Sequence, residues 1–199
     1  MKGRIKLTKE RFDSEMFYAG FPVFITLVKI GTEQILATTY SSSYMLDNWL
    51  VIGTGADGNT ASHLKVGTKL SVNYLDAENG ILADIAGLVS SRTRLSVLTE
   101  MGAELIEIDE IPILENGSVS IIGQIEKVVS MDGINHLFIK ITDRFIDKSL
   151  LTDGKIDWGN MSALEYFGAQ TERFYKAVSS DKKKKGQFLK ESRKHDTRK

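Results

Sequence analysis

Two long runs of alternating hydrophobicity, 118–129 (SVSIIGQIEKVV) and 136–146 (HLFIKITDRFI), flank a turn at 130–135 that contains Asp132-Gly133. Alternation with period 2 puts every second side chain on one face, the signature of a strand. Asp-Gly accepts the positive φ angles of a tight hairpin turn. The pair predicts a long β-hairpin, and an isolated hairpin is at best marginally stable, so more sheet must cover it. The rest of the chain supplies strand candidates. Residues 22–30 (PVFITLVKI) read as a strand, 31–33 as a turn and 34–43 (QILATTYSSS) as the returning strand. Residues 49–54 (WLVIGT), 69–75 (KLSVNYL) and 104–108 read as further short strands.

Helical segments are few. Asn59 or Thr60, after a Gly-rich loop at 55–58, reads as an N-cap opening a short helix to Val66, stopped by Gly67. Ile81, Leu82, Ile85 and Leu88 have helical spacing within 78–89, and 94–101 reads as another short helix. Residues 162–178 (SALEYFGAQTERFYKAV) predict a helix around a Gly with an aromatic face. Strand and helix do not alternate along the chain. The predicted fold class is therefore mainly β, a barrel with a few helices. A length of 199 residues with 42% hydrophobic content suits one compact domain.

Several chemistries are argued against. There are no cysteines, which removes disulfides, thiolate nucleophiles and Cys-ligated metals. His63, His136 and His195 show no metal-ligand spacing, and there is no GxGxxG, P-loop or GxSxG motif. No apolar run approaches the roughly 20 residues that span a bilayer. The polar opening segment, MKGRIKLTKERFDSE, lacks a signal-peptide core. The expectation is a cytoplasmic protein with no membrane partner.

The formal net charge of zero hides an asymmetry. Residues 179–199 carry nine Lys/Arg and three acids, a net +6, and the remainder carries −6. The tail reads as a solvated, flexible terminus. Phe188 is the one aromatic beside these charges, so nucleic acid is not the expected partner. The domain reading is an N-terminal extension at 1–20, a core domain at 21–178 and a basic tail at 179–199.

Within 21–75 the order of motifs resembles the flavin reductase-like, FMN-binding split-barrel family. The Pro22-Val23 strand opening, the Thr/Ser strand at 37–43, Leu50-Val51, a helix-opening Thr60, Gly67 and Val72-Asn73 follow the family order. Asn135-His136 before LFIKI and Tyr166-Phe167-Gly168 extend the likeness to about residue 170. Asp47-Asn48-Trp49 stands where the family usually has two prolines. The resemblance implies a split β-barrel of FMN-binding type, FMN as cofactor, NAD(P)H as co-substrate and a homodimer.

It also assigns candidate residues. Thr39, Tyr40, Ser41 and Ser42 offer hydroxyls and backbone groups to the polar edge of a flavin ring. Asn59 and Thr60, after the glycines, are candidates for the phosphate, because such a turn lets backbone N–H groups approach an anion. Arg92 and Arg94 are the candidate cations; Lys65, Trp49, Trp158 and His136 are weighed as lesser candidates. No side chain is assigned a catalytic role, since the cofactor would supply the reactive atoms. The expected function is an NAD(P)H-dependent flavin reductase transferring hydride to FMN. The alternative is a flavoredoxin-like electron-transfer protein that holds FMN tightly and serves a redox protein partner.

Overall fold

The computed structural model describes residues 9–179, 182 and 185–187. Most of the basic tail and residues 1–8 lie outside the described residues. The strands are β1 (Phe17–Pro22), β2 (Phe24–Ile30), β3 (Gln34–Tyr40), β4 (Ser43–Leu46), β5 (Trp49–Gly55), β6 (Lys69–Tyr74), β7 (Leu105–Ile108), β8 (Ile111–Leu114), β9 (Val119–Met131) and β10 (Ile134–Ile146). They are followed by β11 (Leu151–Thr152), β12 (Lys155–Ile156), β13 (Leu164–Ala169) and β14 (Glu172–Ala177). Two helices, α1 (Gly80–Leu88) and α2 (Arg94–Glu100), interrupt them.

The predicted hairpin is β9–β10. Asp132 and Gly133 both have positive φ, +49° and +77°, as a type I′ turn requires. Its register shifts between Phe138 and Ile139 and again between Ile141 and Asp143. Such irregularities bend a strand. The hairpin sits in a seven-stranded antiparallel sheet of order β3-β2-β6-β9-β10-β5-β4. Three strands separate β2 from β5, yet Phe24 and Leu50 share one buried cluster with Leu70, Ile125 and Leu137. Tyr40 on β3 hydrogen-bonds Thr54 on β5. Only a sheet curled on itself brings these strands together, so the sheet forms an open, split barrel. Gly123 allows the close crossing of β9 over β10, where a Cβ would stand 2.6 Å from Ile139 and 2.7 Å from the Lys140 carbonyl.

β2 is buried on both faces from Phe24 to Val28, which explains why this stretch is apolar but for Thr26. Phe24 and Val28 point into the barrel. Val23, Ile25 and Leu27 join an outer core with α1, α2 and Leu164. Leu82, Ala83, Ile85 and Ala86 form the buried stripe of α1. Ile81 and Leu88, expected to face inward, are exposed at 48% and 82%. Asn73 on β6 is fully buried and pins four elements. Its amide nitrogen donates to the Ile25 carbonyl at 3.0 Å and to Ser71 Oγ at 2.8 Å. Its Oδ1 accepts from Leu114 N at 3.0 Å and from Ser120 Oγ at 2.8 Å.

Three expectations are corrected. Residues 162–178 form the β13–β14 hairpin, which pairs with β1 in a second, three-stranded sheet. Gln170 takes φ +52° in its turn, and the aromatic residues pair across strands, Tyr166 with Tyr175 and Phe167 with Phe174. The helix from 59 or 60 to 66 is one 3-10 turn, Ala61–His63, and Thr60 makes no capping bond. The two first strands are divided: β1 ends at Pro22 before β2, and the 34–43 run breaks after Tyr40 into β3 and β4. β1 starts at Phe17, inside the stretch expected to be an extension.

Candidate functional site

A trough of about 610 Å³ opens where the barrel edge meets the small sheet. Its first wall is the end of β3 and the step into β4, with Thr39, Tyr40, Ser41 and Ser42. Gly53, Thr54 and Gly55 of β5 form the floor. The step is fastened there by Gly53 N donating to the Ser42 carbonyl at 2.8 Å. Asp84, Gly87 and Leu88 of α1 form the second wall. α1 lies close on β3: Thr39 Oγ1 donates to the Ala83 carbonyl, and a Cβ on Gly87 would touch Thr39 at 3.7 Å. The third wall is aromatic, with Tyr18 from β1, Tyr166 from β13, and Arg173, Phe174 and Tyr175 from β14.

The third wall is a connected cluster. Tyr18 and Tyr166 meet edge to face at 5.0 Å, and Tyr166 and Tyr175 lie 5.7 Å apart. The Arg173 guanidinium stands 5.5 Å over the Tyr18 ring. Burial, reinforced by the Asp84 carboxylate and its hydrogen bond, pushes the Tyr175 phenol up to about 12. Burial also raises Tyr166 and Tyr40, while Arg173 and Thr54 respectively pull back. All three phenols are therefore neutral donors near pH 7. The trough presents one carboxylate, Asp84, and one guanidinium, Arg173, among otherwise neutral walls.

Four of the eight predicted residues line this trough, and their hydroxyls differ in availability. Thr39 is engaged by α1 and Tyr40 by Thr54. Among the described residues, the side chains of Ser41 and Ser42 have no hydrogen-bond partner. Thr60 and Arg94 do not line the trough but meet on the same strand, at Thr38. Thr38 Oγ1 lies 2.7 Å from Thr60 Oγ1 and accepts from Arg94 Nη1 at 3.2 Å. Arg94 also donates to the Ala37 carbonyl at 2.6 Å and the Val89 carbonyl at 2.9 Å. Burial lowers its pKa, and its charge reaches Tyr40. Asn59 and Arg92 are exposed and line no part of the trough.

The lesser candidates lie elsewhere. Lys140 Nζ stands 4.8 Å over the partly exposed Trp49 ring, Trp158 is 56% exposed, and Lys65 borders a separate hollow beside His63. His136 pairs with Gly53 across β5 but does not line the trough. Sequence reasoning missed Tyr18, Asp84, Arg173 and Tyr175. For the two in β14 the sequence carries no clear signal, since 172–177, ERFYKA, does not alternate polar and apolar residues and alternates only in burial.

Among the described residues, no helix is long and apolar enough to cross a membrane, and no group of His, Asp and Glu is placed to hold a metal ion. No protein-family model matches the sequence, and no curated protein matches it. Solved structures do match the fold. A flavoredoxin from Methanosarcina acetivorans superposes with a TM-score of 0.75 at 16% identity, covering 92% of this chain and 100% of that one. An FMN-binding protein from Thermus thermophilus gives 0.70 at 14% identity, over 90% and 99%. The flavin reductase HpaC, complexed with NADP+, gives 0.62 at 15% identity, over 82% and 93%. The curled seven-stranded sheet with its flanking hairpin thus has the flavin-reductase-like split-barrel fold that flavoredoxin and flavin reductase structures share.

Proposed function

We propose that the trough holds FMN and that the chain is an NAD(P)H-dependent flavin reductase. The observation that carries this reading is the pair of unpartnered hydroxyls, Ser41 and Ser42, beside a glycine floor and facing an aromatic wall. Small hydroxyls suit the polar edge of a flat ring, and glycines leave room for its face. The volume of about 610 Å³ lies within the range of small-molecule sites. The phosphate needs a cation, and the Arg94, Thr38 and Thr60 cluster supplies a fixed guanidinium with two hydroxyls. Ser41, Ser42 and Tyr40 would hold the ring in the trough, and the phosphate would reach past Tyr40 toward Arg94, whose charge Tyr40 feels.

FMN, when bound, supplies the two-electron chemistry that accepts hydride from NAD(P)H. The chain's own work is then placement. Thr39 and Tyr40 are locked by α1 and β5, so the strand end from which Ser41 and Ser42 follow is held in place before a ligand arrives. Tyr18, Tyr166 and Tyr175 exclude water from one side while staying protonated. HpaC complexed with NADP+ supports a nicotinamide nucleotide as the second substrate.

A flavoredoxin-like role is the second reading, supported by the higher TM-score of the flavoredoxin, 0.75 against 0.62 for HpaC. A homodimer belongs to either reading. The edge strand β4 and its neighbour expose Tyr44, Leu46 and Trp49 at 61%, 70% and 40%, an apolar edge that a second copy would cover.

The test is a titration of the purified chain with FMN and riboflavin, followed by anaerobic NADH and NADPH. FMN binding that Arg94→Gln weakens, with riboflavin binding unchanged, supports the site. Rapid NAD(P)H oxidation with added flavin selects the reductase, and a yellow protein with little turnover selects the flavoredoxin-like role. Absence of flavin binding at any pH between 6 and 8 sinks both, a window taken as roughly neutral, where His and phosphate groups titrate.

A further inference from the structure

We propose that a second hollow, behind the aromatic wall, binds a planar molecule of one or two aromatic rings that carries no negative charge. It measures about 460 Å³ and lies over the small sheet. Phe12, Phe17, Phe167 and Phe174 give it an interior of rings. Three of these are exposed where a sheet face would ordinarily be polar: Phe12 at 58%, Phe17 at 65% and Phe174 at 50%. Aromatic surface gathered in a concavity, and not scattered singly, marks a binding site. Phe167 and Phe174 are nearly parallel, at 7° and 6.0 Å, and Phe12 and Phe17 are tilted by 59° at 6.3 Å. The hollow thus offers ring faces and ring edges, the two surfaces against which a planar π-system packs best.

The wall is held in shape by its rim. Gln170 adopts φ +52° in the β13–β14 turn, a conformation uncommon outside glycine. Its N–H donates to the Met16 carbonyl at 3.3 Å and to Ser14 Oγ at 3.1 Å. That staple lays the segment before β1 against the hairpin turn and so brings Phe12 to the hollow. Glu172 is the one acidic or basic side chain bordering the hollow among the described residues, and an acid there disfavours an anionic ligand. Lys176 stacks on Phe167 at 5.1 Å without bordering the hollow. Tyr18 and Phe174 line both this hollow and the trough, so a ring seated here stands one side chain away from the proposed flavin site.

The inference does not depend on flavin binding and is tested apart from it. The full chain is titrated with 2-naphthol, followed by saturation-transfer NMR and calorimetry. Decahydro-2-naphthol, of the same carbon skeleton but not planar, is the comparison. Expected are saturable one-site binding of 2-naphthol, at least tenfold weaker binding of the saturated analogue, and at least tenfold weakening by Phe17→Leu with recovery in Phe17→Tyr. Phe17 is well exposed, so these variants should keep the fold, and FMN affinity and molar mass should match the parent chain. The proposal is overturned by non-saturable binding, by equal affinity for the two probes, or by indifference to Phe17→Leu. It is also overturned if Phe17→Leu lowers the molar mass, which would make this face an interface between copies, or if it weakens FMN equally.

Discussion

Small polar residues crowd two stretches of the sheet, and the two are used in opposite ways. On β6, Ser71 and Asn73 are fully buried and every polar atom meets a protein partner. In the step from β3 to β4, Ser41 and Ser42 are half-buried and their hydroxyls meet none among the described residues. Residue type is nearly the same; the destination of the hydrogen bonds differs. The first stretch specifies the fold, because an unpaired polar group in a dry interior costs about 1–3 kcal/mol. The second has stable places to put its hydroxyls only in water or in a ligand.

The comparison can be broken, the most drastic way being at Asn73. Asn73→Ala strands Leu114 N–H, the Ser120 hydroxyl and the Ile25 carbonyl together, and should lower stability by about 3 kcal/mol. Urea unfolding would read this as a lowered midpoint, with FMN affinity of the folded fraction unchanged. Next, the double variant Ser41→Ala/Ser42→Ala should leave stability within about 0.5 kcal/mol. It should weaken FMN about tenfold, which is about 1.4 kcal/mol. A marked loss of stability instead would show that these hydroxyls serve the fold, as those of β6 do.

A smaller effect sharpens the electrostatics of the trough. Tyr175 is raised from 10.0 to about 12 in the folded chain, by burial first and by Asp84 second. It therefore holds its proton more tightly folded than unfolded. That contribution to stability is whole below pH 10.0 and is lost as pH climbs to about 12. Asp84→Asn removes the carboxylate, so phenolate absorbance should show Tyr175 ionising closer to 10.0. No movement on substitution would mean that burial alone sets the value. Smallest of all is Lys29→Met, which breaks the Lys29–Glu107 pair at 2.8 Å between β2 and β7. The pair is partly exposed, so thermal melts should show a change under about 0.5 kcal/mol.

These contrasts also explain what the sequence made legible. The β9–β10 hairpin was readable because Asp132-Gly133 and the alternation of its arms are local signals that agree. The Thr/Ser wall was readable from its composition and its place in the order of motifs. The aromatic wall was not. In 162–178 the spacing of Leu164, Phe167 and Tyr175 mimics a helical stripe, and local pattern cannot see that β1 is waiting to pair with β13. Arg173 and Asp84 escaped for the same reason, since they become neighbours of the site only after α1 and β14 close around it. The N-cap reading of Thr60 fails for a similar reason: its hydroxyl meets Thr38 on β3 and not the N–H groups of a helix.

The pairing of β1 with β13 joins residues about 150 positions apart, from Phe17 with Ala169 to Pro22 with Glu165. A ribosome adding roughly 5–20 residues per second releases the first strand many seconds before its mate. The nascent chain must carry Phe17, Tyr18 and Phe21 without their cover until residues 165–169 emerge. The trough gains its last wall only once β14 has been made, so its shape is complete only after residue 177 has emerged.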